Sequence, residues 1–246
     1  KKNIMAINVD TVYKTVLLVL NQQQRGYMTP DEFNKVATQV QLNIFEKYED
    51  DLNQQYRMPQ NDTEYANRVK NIEENLQFFQ KYVNNASNAG AITGANPFTI
   101  DLTVITDLYR LGSVMYKGEK LTQYAQRNEI TQILLSPLTQ PTTDFPIYLY
   151  EEGKLYIYPT SIIAPDDINI SYLKKPADVI WDYTQGSLGQ YVFNSGGSTQ
   201  NFELNVSEQT NVITRILAYA GIIINDPNII QAAAQETQLE EQNSKQ

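Results

Sequence analysis

The chain has 246 residues, 41% of them hydrophobic, enough apolar content to fill a core. Its 19 basic and 28 acidic side chains leave a net charge of −9, and the acid gathers toward the C-terminal end, so the sequence lacks the basic stripe that phosphate neutralisation needs. With no cysteine there are no disulfides or thiolate ligands; with no histidine the usual general base, the commonest metal ligand and the centre of a Ser-His-Asp triad are missing, leaving carboxylate-pair glycoside hydrolysis, Ser-Lys chemistry or a site completed by a partner.

In chain order, the first signal is a lysine pair followed by an apolar segment. No small-residue cleavage site follows it, so no secretory signal is expected. Val9, Val12, Tyr13, Val16, Leu17 and Leu20 recur at steps of three and four and predict a short helix starting near Asp10. Thr29-Pro30-Asp31-Glu32 then supplies a capping hydroxyl, a proline at the first helical position and a glutamate three residues after the cap. A second helix is expected from there to Met58-Pro59. Tyr65, Val69, Ile72, Leu76, Phe79 and Val83 follow as a heptad-like seam. Two such helices joined by a short polar turn predict an antiparallel helical hairpin over residues 30 to 83.

From Phe98 to about Tyr172 the pattern changes to short β-branched and aromatic runs between turn residues. Its clearest unit is a β-hairpin, PIYLY-EEGK-LYIYP, with Tyr150 opposite Leu155 and Tyr148 opposite Ile157. Neither face of it is polar, so both should be covered, one by core and the other by a helix or a neighbouring subunit. A short helix is expected from Arg127 to Ser136, a strand over Ile168 to Leu173, and a long loop from Asp182 to Gln200. Asn205 reads as the cap of a strongly apolar helix ended by Asp226-Pro227. The longest apolar stretch, Val212 to Ile224, contains Thr214 and Arg215 and is too short to cross a bilayer, so no membrane span is expected. The chain therefore reads as α+β, with an N-terminal helical hairpin, a central antiparallel sheet or sandwich, and a C-terminal buried helix with a polar helical tail. The regions are 1–90, 91–204 and 205–246, the last packing with the first.

Little in the sequence suggests catalysis. Glu151-Glu152 and Asp166-Asp167 fall in predicted turns, where adjacent carboxylates are solvated. Glu49-Asp50-Asp51 lacks calcium-loop spacing. Neither glycine cluster matches a phosphate-binding or nucleophile-elbow motif. No catalytic, cofactor or metal residue is assigned, and the chain is expected not to be an enzyme. The tyrosines suit either of two uses: a platform for sugar rings, or an interface needing large rigid area with a polar tip.

The string from Phe145 through Lys174-Lys175-Pro176 to Trp181, then Phe202-Glu203-Leu204, Ser207-Glu208 and TNVITRILAYAGIII, resembles structural proteins of crAss-like tailed phages. The opening INVDTVYKTVLLVLNQQQRGYMTPDEFNKVATQVQLNIFEKY is similar to the first helices of that family. The resemblance implies a virion protein of the head-tail junction or upper tail, made in the host cytoplasm. It would be a head-to-tail adaptor forming a closed ring of about twelve copies under the portal. Its partners would be itself, the portal protein and neighbouring tail ring proteins, with genomic DNA only as a passing contact in the lumen and no membrane. The alternative is a glycan-binding tail or surface module using the tyrosine-rich hairpin. The residues expected at interfaces are Tyr148, Tyr150, Tyr156 and Tyr158 of the hairpin, Lys174, Lys175, Trp181 and Tyr183 around Pro176, and Ile229 and Ile230. For Trp181 the competing expectation is that it plugs a sheet edge. The two isoleucines would anchor a C-terminal tail on an adjacent subunit.

Overall fold

The computed structural model describes residues 6–22, 27–57, 70, 72–83, 91–92, 96–164, 167–224, 231, 235 and 238. Its elements, in chain order, are α1 (Val9–Gln22), α2 (Pro30–Arg57), β1 (Gln80–Val83), β2 (Ala91–Ile92), β3 (Phe98–Asp101), β4 (Leu108–Tyr116), β5 (Lys120–Leu121) and β6 (Gln123–Tyr124). There follow α3 (Arg127–Leu135), β7 (Ile147–Glu151), β8 (Lys154–Tyr158), β9 (Ile168–Lys174), β10 (Tyr183–Gln185), β11 (Tyr191–Phe193) and α4 (Gln209–Ile224). The fold is α+β. The chain divides into two compact units, residues 1–78 with 176–246, and residues 79–175.

In the first unit the helices begin where local chemistry dictates. Asn8 Oδ1 accepts the N–H groups of Asp10 at 2.9 Å and Thr11 at 3.0 Å, satisfying donors that open α1. At α2 the expected reciprocal box forms, with Thr29 N–H donating to Glu32 Oε2 at 2.9 Å and Glu32 N–H to Thr29 Oγ1 at 3.4 Å. Asn205 accepts Ser207 N–H at 3.2 Å and opens a 3-10 turn that runs into α4. The apolar stripes meet in one core: Val12, Val16 and Leu20 of α1, Phe33, Val40 and Ile44 of α2, and Val212 and Ile216 of α4 are buried.

Two expectations fail. The helical hairpin does not run to residue 83, because Gln80–Val83 forms β1, paired antiparallel with β9 from Gln80↔Leu173 to Val83↔Ile170. A spacing of four and three carries no information about a strand partner some 90 positions away, and that partner decides the local state. The stretch from Asp182 to Gln200 is not a loop but a two-stranded ribbon, with Tyr183↔Phe193, Thr184↔Val192 and Gln185↔Tyr191, extended by the bridge Ile180↔Gln200. Its glycines and serines hid strand formers. Gly189, at φ +82°, makes its turn, and Asp182 accepts Ser198 N–H and Asn194 Nδ2 at 3.1 Å each at its base.

The second unit is a sandwich. One sheet has the order β1-β9-β4-β5 and the other β2-β3-β8-β7-β6, antiparallel except for β6 beside β7. The hairpin registers as expected, Tyr148↔Ile157 and Tyr150↔Leu155. Its turn has two residues, Glu152 at φ +52° and Gly153 at φ +72°, the positive pair that matches the twist of adjoining strands. One hairpin face joins Phe98, Ile100, Val114, Ile168 and Ile170 between the sheets. The other, with Ile147 and Leu149, is covered by Ala125 and Ile130 and by Ile133 and Leu134 of α3. Both faces are thus covered within the chain's own unit.

Candidate functional site

The sandwich brings together side chains far apart in sequence. Tyr148 and Tyr150 project from β7, Tyr124 from the parallel strand β6, and Tyr109, Arg110 and Leu111 from β4, lining an open groove of about 310 Å³. The pairing of β4 with β9 shifts register between Leu108 and Arg110 and again between Leu111 and Val114, so β4 is irregular where it contributes to the groove. Tyr124 and Tyr148 sit side by side, ring centroids 5.6 Å apart and planes tilted by 55°. Burial first, then the neighbouring Tyr124, pushes the Tyr148 hydroxyl above the ordinary tyrosine value, so it remains protonated and able to donate. Tyr156 and Tyr158 point to the opposite face and pack against the cluster under α3. Tyr158 is likewise raised, mainly by burial.

Beyond the groove, this unit leaves large apolar side chains in solvent. Leu138 is 94% exposed, Phe145 79%, Leu135 78% and Leu121 68%. Lys120, next to Leu121, pairs with Asp144, next to Phe145. The ion pair thus brings the two chain segments that carry Leu121 and Phe145 near each other.

Lys174 closes β9, half-buried, and its N–H donates to the Phe79 carbonyl at 2.8 Å; Lys175 is exposed, its N–H bonded to the Asp107 carbonyl at 2.7 Å. Nearby, Asp107 receives Lys81 and the Tyr172 hydroxyl. Partial burial pushes its carboxyl up, but the Lys81 hydrogen bond and charge together with Tyr172 outweigh this and hold it below the usual carboxylate range.

Trp181 and Tyr183 belong to the first unit, whereas Lys174 and Lys175 belong to the second. Trp181 is 4% exposed, its Nε1 donates to Asp10 at 3.1 Å, and its ring packs on Tyr13, Phe193 and Tyr183 at 4.5, 5.5 and 5.9 Å. It is a core side chain of its own unit, on which the β10–β11 ribbon rests. Tyr183 and Tyr191 stack edge to face at 4.8 Å above it, each partly exposed. Ile229 and Ile230 lie outside the described residues.

Sequence reasoning missed a polar ladder on α2. Asn34, Thr38 and Gln41 reach the backbone of residues 177–181 at alternate positions. Asn34 Oδ1 accepts Trp181 N–H at 2.8 Å, Thr38 Oγ1 accepts Val179 N–H at 3.0 Å, and Gln41 Nε2 donates to the Ala177 carbonyl at 2.7 Å while its Oε1 accepts Glu203 N–H at 2.8 Å. The sequence signal was there in the spacing of four and three beside the apolar stripe. Tyr109 and Tyr124 were also missed, Tyr124 as a single tyrosine in a two-residue strand and Tyr109 at the start of β4.

No group of three or more metal-ligating side chains occurs among the described residues, and no helix among them is long and apolar enough to cross a membrane. No family model matches the chain, and a search of curated proteins finds no match.

Proposed function

We propose that this chain is a structural subunit of a tailed-phage virion, a head-to-tail adaptor that closes into a ring beneath the portal. The observation that carries the reading is the apolar surface of the second unit. Its core is already filled and both hairpin faces are covered from within, yet Leu121, Leu135, Leu138 and Phe145 stand in solvent. Exposed apolar side chains of this size on a domain whose core is already filled mark a contact surface. The likeness of the Phe145–Trp181 string and the apolar helix to crAss-like phage proteins supplies the kind of assembly. In this reading the partners are other copies of the chain, the portal and neighbouring ring proteins. DNA passes without being held, and the protein performs no chemistry.

Electron microscopy of purified particles, with the chain located by a tag, tests this. Ring density at the neck or upper tail is expected, and recovery from disrupted particles only as dispersed monomers argues against the proposal. Sedimentation of Leu138→Asp and Phe145→Asp is the solution counterpart, with weakened self-association expected.

A second reading draws on the groove. Four tyrosines and an arginine around a small open cavity suit a sugar ring, which offers an apolar face to aromatic rings and hydroxyls to their polar tips. A glycan array separates the two, because saturable binding lost in Tyr124→Ala favours the glycan module and no binding favours the ring.

A further inference from the structure

We propose that the β10–β11 ribbon is a docking arm that adds a strand to β1 of a second copy of this chain; the inference rests on the ring reading and specifies one of its contacts.

The argument begins with backbone hydrogen bonds. Asn194 N–H donates to the Asp182 carbonyl and Gly186 N–H to the Gln190 carbonyl, so pairs 182/194, 184/192 and 186/190 bond inward. In an antiparallel pair the intervening residues point their N–H and C=O groups outward, which here are Tyr183 and Gln185 on one edge and Tyr191 and Phe193 on the other. Asp182 Oδ1 accepts Tyr183 N–H. The β11 edge has no backbone partner among the described residues. An open edge of this kind is a template for another strand.

Charge selects the occupant. Residues 183–202 contain no Asp, Glu, Lys or Arg, in a chain that carries 28 acidic and 19 basic side chains. Two copies each at −9 repel, and a contact between them is least opposed where the surface is neutral. A strongly charged partner would be met by complementary charge, which the arm lacks. Its exposed side chains are all uncharged: Leu188 at its tip is 90% exposed, and Val192, Gln185, Thr184 and Ser187 are also exposed. The stack on Trp181 and the Asp182 cluster hold the arm in shape before any contact, which limits the ordering cost of docking.

The receiving edge follows from length. Among the described residues the sheets of the second unit end in β1, β5, β2 and β6, of which only β1 exceeds two residues and matches a three-residue strand. The bond from Lys174 N–H to the Phe79 carbonyl fixes the alternation there and turns Gln80 and Tyr82 outward, with the Tyr82 side chain exposed.

Two measurements on the full-length chain test this. A photo-crosslinking phenylalanine at position 192 should yield covalent dimers whose joined peptides connect residues 183–193 of one copy with 80–83 of the other. Tyr191→Pro removes one outward N–H and leaves the inward bonds, so self-association by sedimentation should weaken about ten-fold relative to Tyr191→Ala, which keeps that N–H. Unchanged Trp181 emission in both variants shows that the ribbon is still seated. Self-association with crosslinks elsewhere and equal behaviour of the two variants overturns the arm while leaving the ring reading intact. No self-association at any concentration, with no ring in particles, overturns both.

Discussion

Gln41 is the sharpest place to test the account of the first unit. It is 1% exposed, and its amide bonds the Ala177 carbonyl and Glu203 N–H at 2.7 and 2.8 Å. Replacement by leucine keeps the volume nearly constant, so little of the effect comes from a cavity. It leaves one buried acceptor and one buried donor without partners, each costing about 1–3 kcal/mol. Part of this is offset because an amide no longer has to be desolvated, and the net loss should be about 2–4 kcal/mol. At about 2–4 °C per kcal/mol for a chain of this size, the melting temperature falls by about 5–15 °C. Gln39→Leu is the control, since Gln39 is exposed on the same helix and its amide donates to Asn43, and its effect should stay within about 0.5 kcal/mol. Thermal unfolding by circular dichroism reads the difference, and amide exchange at Glu203 should quicken in Gln41→Leu alone. Equal melting of the two variants, with Glu203 still protected, would refute the claim that α2 side chains hold these segments.

Three further outcomes follow from geometry. Trp181→Ala removes a ring packed on three aromatics and should cost about 3–5 kcal/mol in urea denaturation of the monomer; a loss under about 1 kcal/mol would return Trp181 to the surface. Gly153→Ala forces a side chain onto φ +72° with its Cβ 2.8 Å from Thr103 Cγ2, and should destabilise by about 1–3 kcal/mol in the same assay. The Glu32 carboxyl is held below its ordinary value, first by the Thr29 backbone N–H and then by its hydroxyl. The stability this adds is complete above the unfolded value, roughly 4.3, and is lost as pH falls through the lower folded value, so the parent should lose melting temperature faster than Glu32→Gln below about pH 5.

What could be read from the sequence was what local chemistry decides. The Thr29-Glu32 box, Asn205 at the turn that opens α4, and the hairpin registering Tyr148 with Ile157 each depend on residues a few positions apart. Strand β1 could not be read in this way, because Gln80–Val83 carries a helical spacing and is extended only beside β9. The β10–β11 ribbon was masked by glycine and serine between its strand formers. Tyr148 and Tyr150 of the groove were foreseen as special, but Tyr124 joins them through the parallel pairing of β6 with β7, and Tyr109 only through the closure of two sheets, one of them irregular along β4. The buried state of Trp181 depends likewise on Tyr13 and Asp10, about 170 positions away.

The α2 ladder also explains how extended chain is satisfied in a unit whose only sheet, among the described residues, is the small ribbon. Along α2, Asn34 to Thr38 advances about 6 Å and Thr38 to Gln41 about 4.5 Å, whereas two residues of extended chain advance about 6.6 Å. The mismatch is small enough for side chains of different length to absorb, and the longest of the three, Gln41, stands at the end of the shorter step. The same device recurs at α1, where Asn201 Oδ1 accepts Val9 N–H at 3.0 Å beside the Phe202 N–H to Ile7 carbonyl bond. A ladder of side chains sets register more tightly than burial alone, because each rung offers a particular donor or acceptor. Deleting Asp178 should therefore do more harm than an apolar truncation nearby: it shifts residues 177–181 by one position and turns Val179 and Trp181 away from Thr38 and Asn34. The loss should exceed that of Gln41→Leu and quench protection at the Val179 and Trp181 amides together. Protection lost at only one of them would mean that the rungs act separately and that apolar packing of Val179 and Trp181 fixes the register.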